Sequence, residues 1–186
     1  MSYEDNIAFV VDLDDTLIYT HSLNSDAYNY ALERLGYPRI NSSNRITKSN
    51  IATLYPNNIN KIIRQKQAYF VESWMPYRTT LNRKLLKAIS AKGKNNCLLW
   101  TSADRKRAIK IISHYGLNEY FCKILFDKKD NIVESIKRIK QYTSAQYAVL
   151  IDDRKEIAKP FEADCIEVGR LKSEKFNVGT WLIRLK

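Results

Sequence analysis

The chain has 186 residues, a length that suits one α/β domain with a small insert better than two full domains. Hydrophobic residues make up 45% of the sequence, which is enough for a packed core and excludes an intrinsically disordered protein. There are 31 Lys and Arg residues against 20 Asp and Glu residues, and the net charge of +11 favours polyanionic or phosphorylated ligands without choosing between them.

The first predicted elements are a strand and a helical region. The apolar, β-branched run Ile7–Val11 predicts a buried parallel strand. Ser25 can cap a helix that ends at Gly36, and a second helical pattern over residues 59–70 follows a polar stretch. We interpret residues 18–75 as a small helical insert that covers the sheet as a lid, rather than as a separate domain.

Strands and helices alternate from residue 76 onward. Apolar runs of strand length alternate with helical patterns that have one apolar face. The predicted strands are residues 97–100, Lys123–Phe126, 147–151 and 165–168, and the predicted helices are residues 81–92, 103–115 and 132–139. This alternation predicts an α/β core of residues 1–17 and 76–186, with a parallel sheet and helices on both of its faces.

The sequence carries no membrane or secretion signal that we can identify. No apolar run approaches the roughly 20 residues that a membrane helix needs, and the acidic start differs from a basic signal peptide. We therefore expect a soluble cytoplasmic protein with no membrane partner. Cys97, Cys122 and Cys165 are widely spaced, which is typical of small buried residues in a reducing compartment rather than of disulfides.

Polar side chains follow the predicted strands, at the edge where open parallel sheets bind ligands. These residues are Asp12, Asp14 and Asp15, then Thr101 and Ser102, then Lys128 and Lys129, and finally Asp152 and Asp153. Closely packed carboxylates repel one another, and a hard divalent cation relieves that repulsion. Oxygen ligands without nearby His or Cys favour Mg²⁺ over zinc, and such a site suits a phosphoryl group.

The spacing of the first two aspartates indicates paired roles. Side chains two residues apart on an extended segment point the same way, so Asp12 and Asp14 can flank one substrate. One carboxylate can then attack phosphorus, while the other protonates the leaving oxygen and later deprotonates water.

Three motifs in order resemble those of the haloacid dehalogenase-like (HAD) superfamily. Residues 12–17, DLDDTL, resemble its motif I, residues 98–102, LLWTS, its motif II, and residues 149–153, VLIDD, the paired-aspartate form of motif IV. The resemblance implies a Rossmann-like sheet, a small helical (C1-type) cap and a phosphatase that forms an aspartyl-phosphate intermediate.

The resemblance also implies roles for individual residues. Asp12 would be the nucleophile and a metal ligand, and Asp14 would be the acid and base and lend its backbone carbonyl to the metal. Thr101, with Ser102, would hold the transferring phosphate. Asp152 and Asp153 would hold Mg²⁺ directly or through water.

The phosphate-binding lysine of motif III is the weakest match. Family members often have Pro after this lysine, whereas this chain reads Lys128-Lys129-Asp130. Lys128 precedes Asp152 by an acceptable interval, and so does Lys129, so the choice stays open. We favour Lys128 as the catalytic and phosphate-binding lysine.

The insert has an unusual charge distribution. Residues 35–71 contain no Asp or Glu, while Lys and Arg residues are interleaved there with tyrosines. This pattern fits a solvated basic surface, a lid for an anionic substrate, or a surface that binds a nucleic-acid backbone.

These features predict Mg²⁺-dependent hydrolysis of a phosphomonoester, with a small molecule such as a nucleotide or sugar phosphate as the substrate. The alternatives are a phosphatase that acts on nucleic-acid ends, a phosphomutase that uses the same aspartates, and a nucleic-acid-binding protein without activity. Intact Asp12 and Asp14 argue against the last of these.

Overall fold

The computed structural model describes residues 6–42, 45–72, 78–129, 132–157, 165–172 and 177–185. The chain divides into two compact units, one formed by Met1–Tyr19 with Leu81–Lys186 and the other by Thr20–Thr80. The first junction lies two residues after the predicted start of the insert at residue 18. The predicted end of the insert at residue 75 lies outside the described residues.

A six-stranded sheet forms the centre of the first unit, with the strand order β5-β4-β1-β6-β8-β7. Its strands are β1 (Ile7–Val11), β4 (Cys97–Thr101), β5 (Lys123–Phe126), β6 (Tyr147–Asp152), β7 (Cys165–Lys172) and β8 (Asn177–Arg184). Two short strands, β2 (Ile18–Tyr19) and β3 (Thr80–Leu81), form a separate two-stranded sheet. The sheet is mixed and mostly parallel, which confirms the predicted α/β class.

Four neighbouring strands of the large sheet are parallel. In the registers, Val11 of β1 lies opposite Leu99 of β4 on one side and Ile151 of β6 on the other. The residues that follow these strands therefore lie at the same edge of the sheet. This register is what brings distant aspartates together.

The sheet differs from the prediction at its other side. Strand β8 was not predicted, and it runs antiparallel to both β6 and β7. Only four residues separate β7 from β8, too few for the crossover that a parallel neighbour requires, so the chain turns back antiparallel. Strand β7 also continues four residues beyond the predicted end at residue 168.

Helices of the first unit are α4 (Arg83–Lys92), α5 (Arg105–His114) and α6 (Ile132–Gln141). Ile139 of α6 packs in the same buried cluster as Leu98 and Trp100 of β4. Cys97 lies on the opposite side of β4, and its thiol donates to the carbonyl of Ile89 in α4. Helices therefore cover both faces of the sheet, as predicted.

The second unit contains three helices, α1 (His21–Arg34), α2 (Lys48–Leu54) and α3 (Ile59–Glu72). The sequence predicted that Ser25 caps α1. The helix instead begins four residues earlier, at His21, so Ser25 lies inside it. Helix α2 was not predicted, and its Thr47 and Asn50 form a reciprocal capping box. Tyr28, Ile51 and Ile62, one from each helix, share a buried cluster.

Of the cysteines, Cys97 is buried as expected, but Cys122 is exposed, and the side chain of Cys165 is not described. Within the described part of the chain, no helix is long and apolar enough to span a membrane.

Candidate active site

A tight turn follows β1 and carries the first group of predicted site residues. The carbonyl of Leu13 accepts hydrogen bonds from the amides of Leu17 (3.1 Å) and Ile18 (2.8 Å). Asp15 sits at a φ of 57°, and it is the only non-glycine residue with a positive φ among those described. Its amide donates to the carbonyl of Ile18 at 2.7 Å, which closes the turn. Asp can adopt this left-handed conformation more readily than most residues.

Asp12 is the first residue after β1, and its side chain is buried among charged groups. Its amide donates to the carbonyl of Ile151 (2.9 Å), and its Oδ1 accepts a hydrogen bond from Lys129 Nζ at 2.5 Å. Burial raises the pKa of Asp12 from 3.8 to about 6, with Asp152 adding to the rise and Lys129 opposing it. Burial therefore disfavours the ionised form of Asp12, and a bound cation would offset this desolvation cost.

Asp152 is the last residue of β6, and none of it is exposed. Its Oδ2 accepts from Lys129 Nζ at 2.6 Å, and its Oδ1 accepts from the amide of Arg154 at 2.9 Å. The amide of the next residue, Asp153, donates to the hydroxyl of Thr16 at 2.9 Å. Thr16 thus joins the turn after β1 to the end of β6.

Three of the four predicted metal ligands converge. Carboxylate oxygens of Asp12, Asp152 and Asp153 all lie within 4.8 Å of one another. A set made only of hard oxygen donors fits Mg²⁺, and such a cation would offset the repulsion among the carboxylates. The side chain of Asp14 is not part of this group, which is compatible with its expected role through the backbone carbonyl.

Asp14 instead pairs with an arginine that the sequence did not single out. Arg107 Nη1 donates to Asp14 Oδ1 at 2.7 Å, and Nη2 donates to Asp14 Oδ2. Burial lowers the pKa of Arg107, but the Asp14 charge and its hydrogen bonds raise it further, so the net shift is upward. A bidentate pair between Arg107 and Asp14 therefore lies beside the candidate nucleophile.

Thr101 ends β4 and is 1% exposed. Its hydroxyl oxygen accepts from the amide of Ala103 at 3.1 Å, which leaves the hydroxyl proton available to a phosphate oxygen. Thr101 does not cap α5, since the carboxylate of Asp104 accepts from the amide of Arg107 in that role. Ser102, the other predicted phosphate ligand, is exposed.

Of the two candidate lysines, the structure brings Lys129 to the site. Lys128 is exposed, whereas Lys129 is 7% exposed and bridges Asp12 and Asp152. The ammonium of Lys129 also lies 4.9 Å from the ring centroid of Trp100, whose aromatic face attracts a cation. The interval to Asp152 could not distinguish two adjacent lysines, because both fit it equally well.

Sequence reasoning missed two contributors to the site. Thr16 lies within the first motif, and its hydroxyl lies 3.4 Å from Asp12 Oδ2. Arg107 belongs to a basic run, Arg105-Lys106-Arg107, in which composition alone does not reveal the inward-facing member. The helical spacing could have identified Arg107 as the inward-facing member. Arg107 lies one residue before Ala108 and four before Ile111, and both of these apolar residues are on the buried side of α5.

Comparison with solved structures finds proteins of similar fold. A haloacid dehalogenase-like family hydrolase from Streptococcus pneumoniae superposes with a TM-score of 0.64 at 20% identity, covering 86% of this chain and 82% of that one. Protein Tyrosine Kinase A from Mycobacterium tuberculosis gives 0.61 at 16% identity, covering 84% and 79%. A predicted phosphoglycolate phosphatase from Haemophilus somnus gives 0.58 at 15% identity, covering 76% and 73%.

No protein-family model and no curated protein sequence matches the chain. The likeness to solved structures rests on the fold, at identities too low to transfer an activity. With this sheet order, the chain has the fold of solved haloacid dehalogenase-like hydrolases and predicted phosphatases.

Proposed function

We propose that the chain is a Mg²⁺-dependent phosphatase that hydrolyses a phosphomonoester through an aspartyl phosphate on Asp12. The observation that carries this proposal is the convergence of Asp12, Asp152 and Asp153 with the buried ammonium of Lys129 at one edge of the sheet. Buried carboxylates that share a cation suit phosphoryl transfer, which depends mainly on positioning and charge stabilisation.

In the first half of the reaction, a carboxylate oxygen of Asp12 attacks phosphorus. The bond between phosphorus and the leaving oxygen breaks, and Asp14 supplies the proton that this oxygen takes. In the second half, Asp14 removes a proton from water as that water attacks the aspartyl phosphate. The bond from phosphorus to Asp12 then breaks, which releases inorganic phosphate and restores both carboxyl groups to their starting forms.

Binding of the phosphoryl group falls to Thr101 and Lys129. The buried hydroxyl of Thr101 has a proton to donate, and Lys129 places its charge beside the attacking oxygen of Asp12. Ser102 is exposed and can add a contact only when a substrate is bound. We assign to Lys129 the role that the sequence favoured for Lys128.

Asp12, Asp152 and Asp153, with the backbone carbonyl of Asp14, would hold the Mg²⁺ ion. When bound, the ion supplies positive charge that stabilises the phosphoryl oxygens in the transition state. The protein side chains carry out the attack, transfer the protons and orient the substrate.

For the substrate we propose a small phosphorylated molecule, such as a nucleotide or a sugar phosphate, with the helical unit acting as a C1-type cap. One structural relative is named as a predicted phosphoglycolate phosphatase, and phosphoglycolate is a small phosphate ester. A cap that must close over the site favours substrates of this size.

A second candidate is a phosphatase that acts on nucleic-acid ends. The acid-free stretch of residues 35–71 favours it, because several of its basic side chains are exposed. The exposed ones are Lys48, Lys61, Arg64 and Arg39, of which Arg39 pairs with Glu33 at 2.9 Å. Exposed cations attract a phosphate backbone through counterion release.

Both candidates are tested by one screen. Phosphate release with Mg²⁺ is measured over nucleotides, sugar phosphates, p-nitrophenyl phosphate and oligonucleotides phosphorylated at either end. The Asp12→Asn variant should release no phosphate, because an amide cannot form the aspartyl phosphate. EDTA should stop turnover, and Mg²⁺ should restore it better than Zn²⁺.

The lysine assignment supplies matched variants for this screen. Lys129→Met should lose at least about 100-fold in kcat, because it leaves two buried carboxylates without their cation. Lys128→Met, one residue away and exposed, should stay within about threefold of the wild type, as surface charges contribute little. Asp127→Asn controls for a change of charge near the site. Turnover by Asp12→Asn, or full activity in EDTA, would contradict the mechanism.

A further inference from the structure

The pairing of Arg107 with Asp14 has no part in the chemistry described so far. The two residues are 93 positions apart in sequence, and both are almost fully buried. Both guanidinium nitrogens at the end of Arg107 engage the two carboxylate oxygens of Asp14. A fork of this kind fixes the plane of the carboxylate as well as its position, which a single ammonium does not do.

The two partners belong to different elements. Arg107 lies in the first turn of α5, where its own amide is held by the capping carboxylate of Asp104 at 3.1 Å. The helix is anchored by the buried residues Ala108 and Ile111. Asp14, by contrast, belongs to the turn after β1, next to the left-handed Asp15. The fork therefore ties the side chain of Asp14 to a helix that is itself anchored in the core.

Each carboxyl oxygen keeps a further lone pair when it accepts one hydrogen bond from the fork. Protonated Asp14 can therefore accept from Arg107 and still donate its own proton to the leaving oxygen, and ionised Asp14 can take a proton from water while Arg107 holds it. The corresponding support for Asp12 comes from Lys129 and Thr16. The two aspartates of the first motif are thus supported by different cations from different elements.

We infer that Arg107 is the positioning residue for the acid and base Asp14, holding its carboxylate in the orientation that proton transfer requires. This inference rests on the proposed function, since it assigns a partner to a residue of that mechanism. Arg107 acts through Asp14 and does not contact the substrate. Proton transfer by a positioned side chain contributes about 10²- to 10⁴-fold to rate, so misorienting Asp14 should cost a large part of that.

The test is a double-mutant cycle on p-nitrophenyl phosphate and phenyl phosphate, with kcat and KM measured separately. Arg107→Gln should lower kcat by about 10- to 100-fold with KM within about threefold, and the loss should be larger for phenyl phosphate, the poorer leaving group. Asp14→Asn should show the same leaving-group dependence. The double variant should be no slower than Asp14→Asn alone, because the two residues act as one unit.

Two further variants separate positioning from a merely structural role. Guanidinium added at millimolar concentration should restore activity to Arg107→Ala but not to Arg107→Ala/Asp14→Asn. Arg105→Gln, a substitution of an exposed arginine two residues earlier in α5, should leave kcat unchanged. A KM increase at constant kcat would mean that Arg107 binds substrate and would overturn the inference. Losses that multiply in the double variant would overturn it as well.

The inference and the proposed function fail in different ways. Turnover by Asp12→Asn contradicts the proposed mechanism, whereas the cycle addresses only Arg107. A crystal structure of Arg107→Gln gives a readout that needs no activity. The side chain of Asp14 should leave its present orientation or occupy several, and an unmoved Asp14 carboxylate would overturn the inference.

Discussion

Ionised Asp12 is stabilised by Lys129 but destabilised by burial and by Asp152, and burial has the largest effect. Its pKa of about 6 in the folded chain exceeds its ordinary value of 3.8. A carboxyl group whose pKa is raised by folding stabilises the fold fully below its unfolded pKa. That contribution is lost as the pH rises through the folded pKa, here between about pH 4 and pH 6.

The metal-free protein should therefore gain stability when Asp12 is replaced by a neutral isostere. Asp12→Asn should match the wild type near pH 4 and exceed it at pH 8 by up to about 3 kcal/mol. Urea unfolding in EDTA across this pH range measures the difference. Mg²⁺ should remove the advantage, since the cation stabilises the ionised aspartate. An advantage of equal size at both pH values would show that charge is not its cause.

At the scale of residues, the sequence predicted which carboxylates meet but not which cations meet them. Asp12, Asp152 and Asp153 follow recognisable strands, so the register of a parallel sheet places them together. Lys129 lies three residues after β5, where the strand end does not decide which of two adjacent lysines turns inward, and Arg107 reaches the site from a helix. Local sequence cannot specify such contacts, because they depend on how separate elements pack.

Strand β8 pairs with β6 up to the end that carries Asp152. Gly179 of β8 lies opposite Asp152 in the register, and Trp181 of β8 packs in the core cluster with Trp100. A Cβ built at Gly179 would lie 2.2 Å from Cη2 of Trp181. Because Gly179 has no side chain, the Trp181 ring can occupy this space beside the candidate site.

Gly179→Ala should destabilise the fold by about 1–3 kcal/mol, because the buried Trp181 ring must move to admit a methyl group. The same substitution in a Trp181→Leu background should cost clearly less, since the ring it collides with is gone. Urea unfolding of the four proteins completes this cycle. An equal cost in both backgrounds would place the strain elsewhere.

The sequence predicted an element correctly where its local apolar pattern matched the position that the element takes in the folded sheet. Strands β1, β4 and β6 are apolar runs of strand length and are buried in the sheet. The glycine within β8 instead suggests an interruption, and only the packing of Trp181 explains it. Helix α1 shows the same limit, since Thr20 at its N-terminus makes no side-chain cap and the helix starts without that signal.

Across the whole molecule, positive charge is unevenly distributed. Residues 35–71 hold six of the 31 basic residues and none of the 20 acidic ones. Not all of the six are available to a ligand, because the ammonium of Lys66 lies 4.2 Å from the ring centroid of Tyr28 and belongs to the packing of the helical unit. The exposed residues Lys48, Lys61 and Arg64 are the ones to vary.

Reversing these three charges to Glu distinguishes the two candidate substrates. If the helical unit receives an oligonucleotide, the variant should bind a phosphorylated single strand at least about tenfold more weakly at 50 mM salt, and the deficit should shrink as salt rises. Hydrolysis of p-nitrophenyl phosphate should change less than about twofold. Fluorescence anisotropy across a salt series measures the first effect, and phosphate release measures the second.

The matched control reverses three exposed lysines of the other unit, Lys84, Lys87 and Lys106, which changes the net charge by the same amount. Equal losses in both variants would mean that the overall charge of +11 acts as a diffuse attraction, and the basic stretch would carry no specific role. A loss confined to the helical unit would instead make nucleic-acid ends the better substrate class. If neither variant changes binding or turnover, the stretch is a solvated surface, and a small phosphomonoester remains the substrate that the site supports.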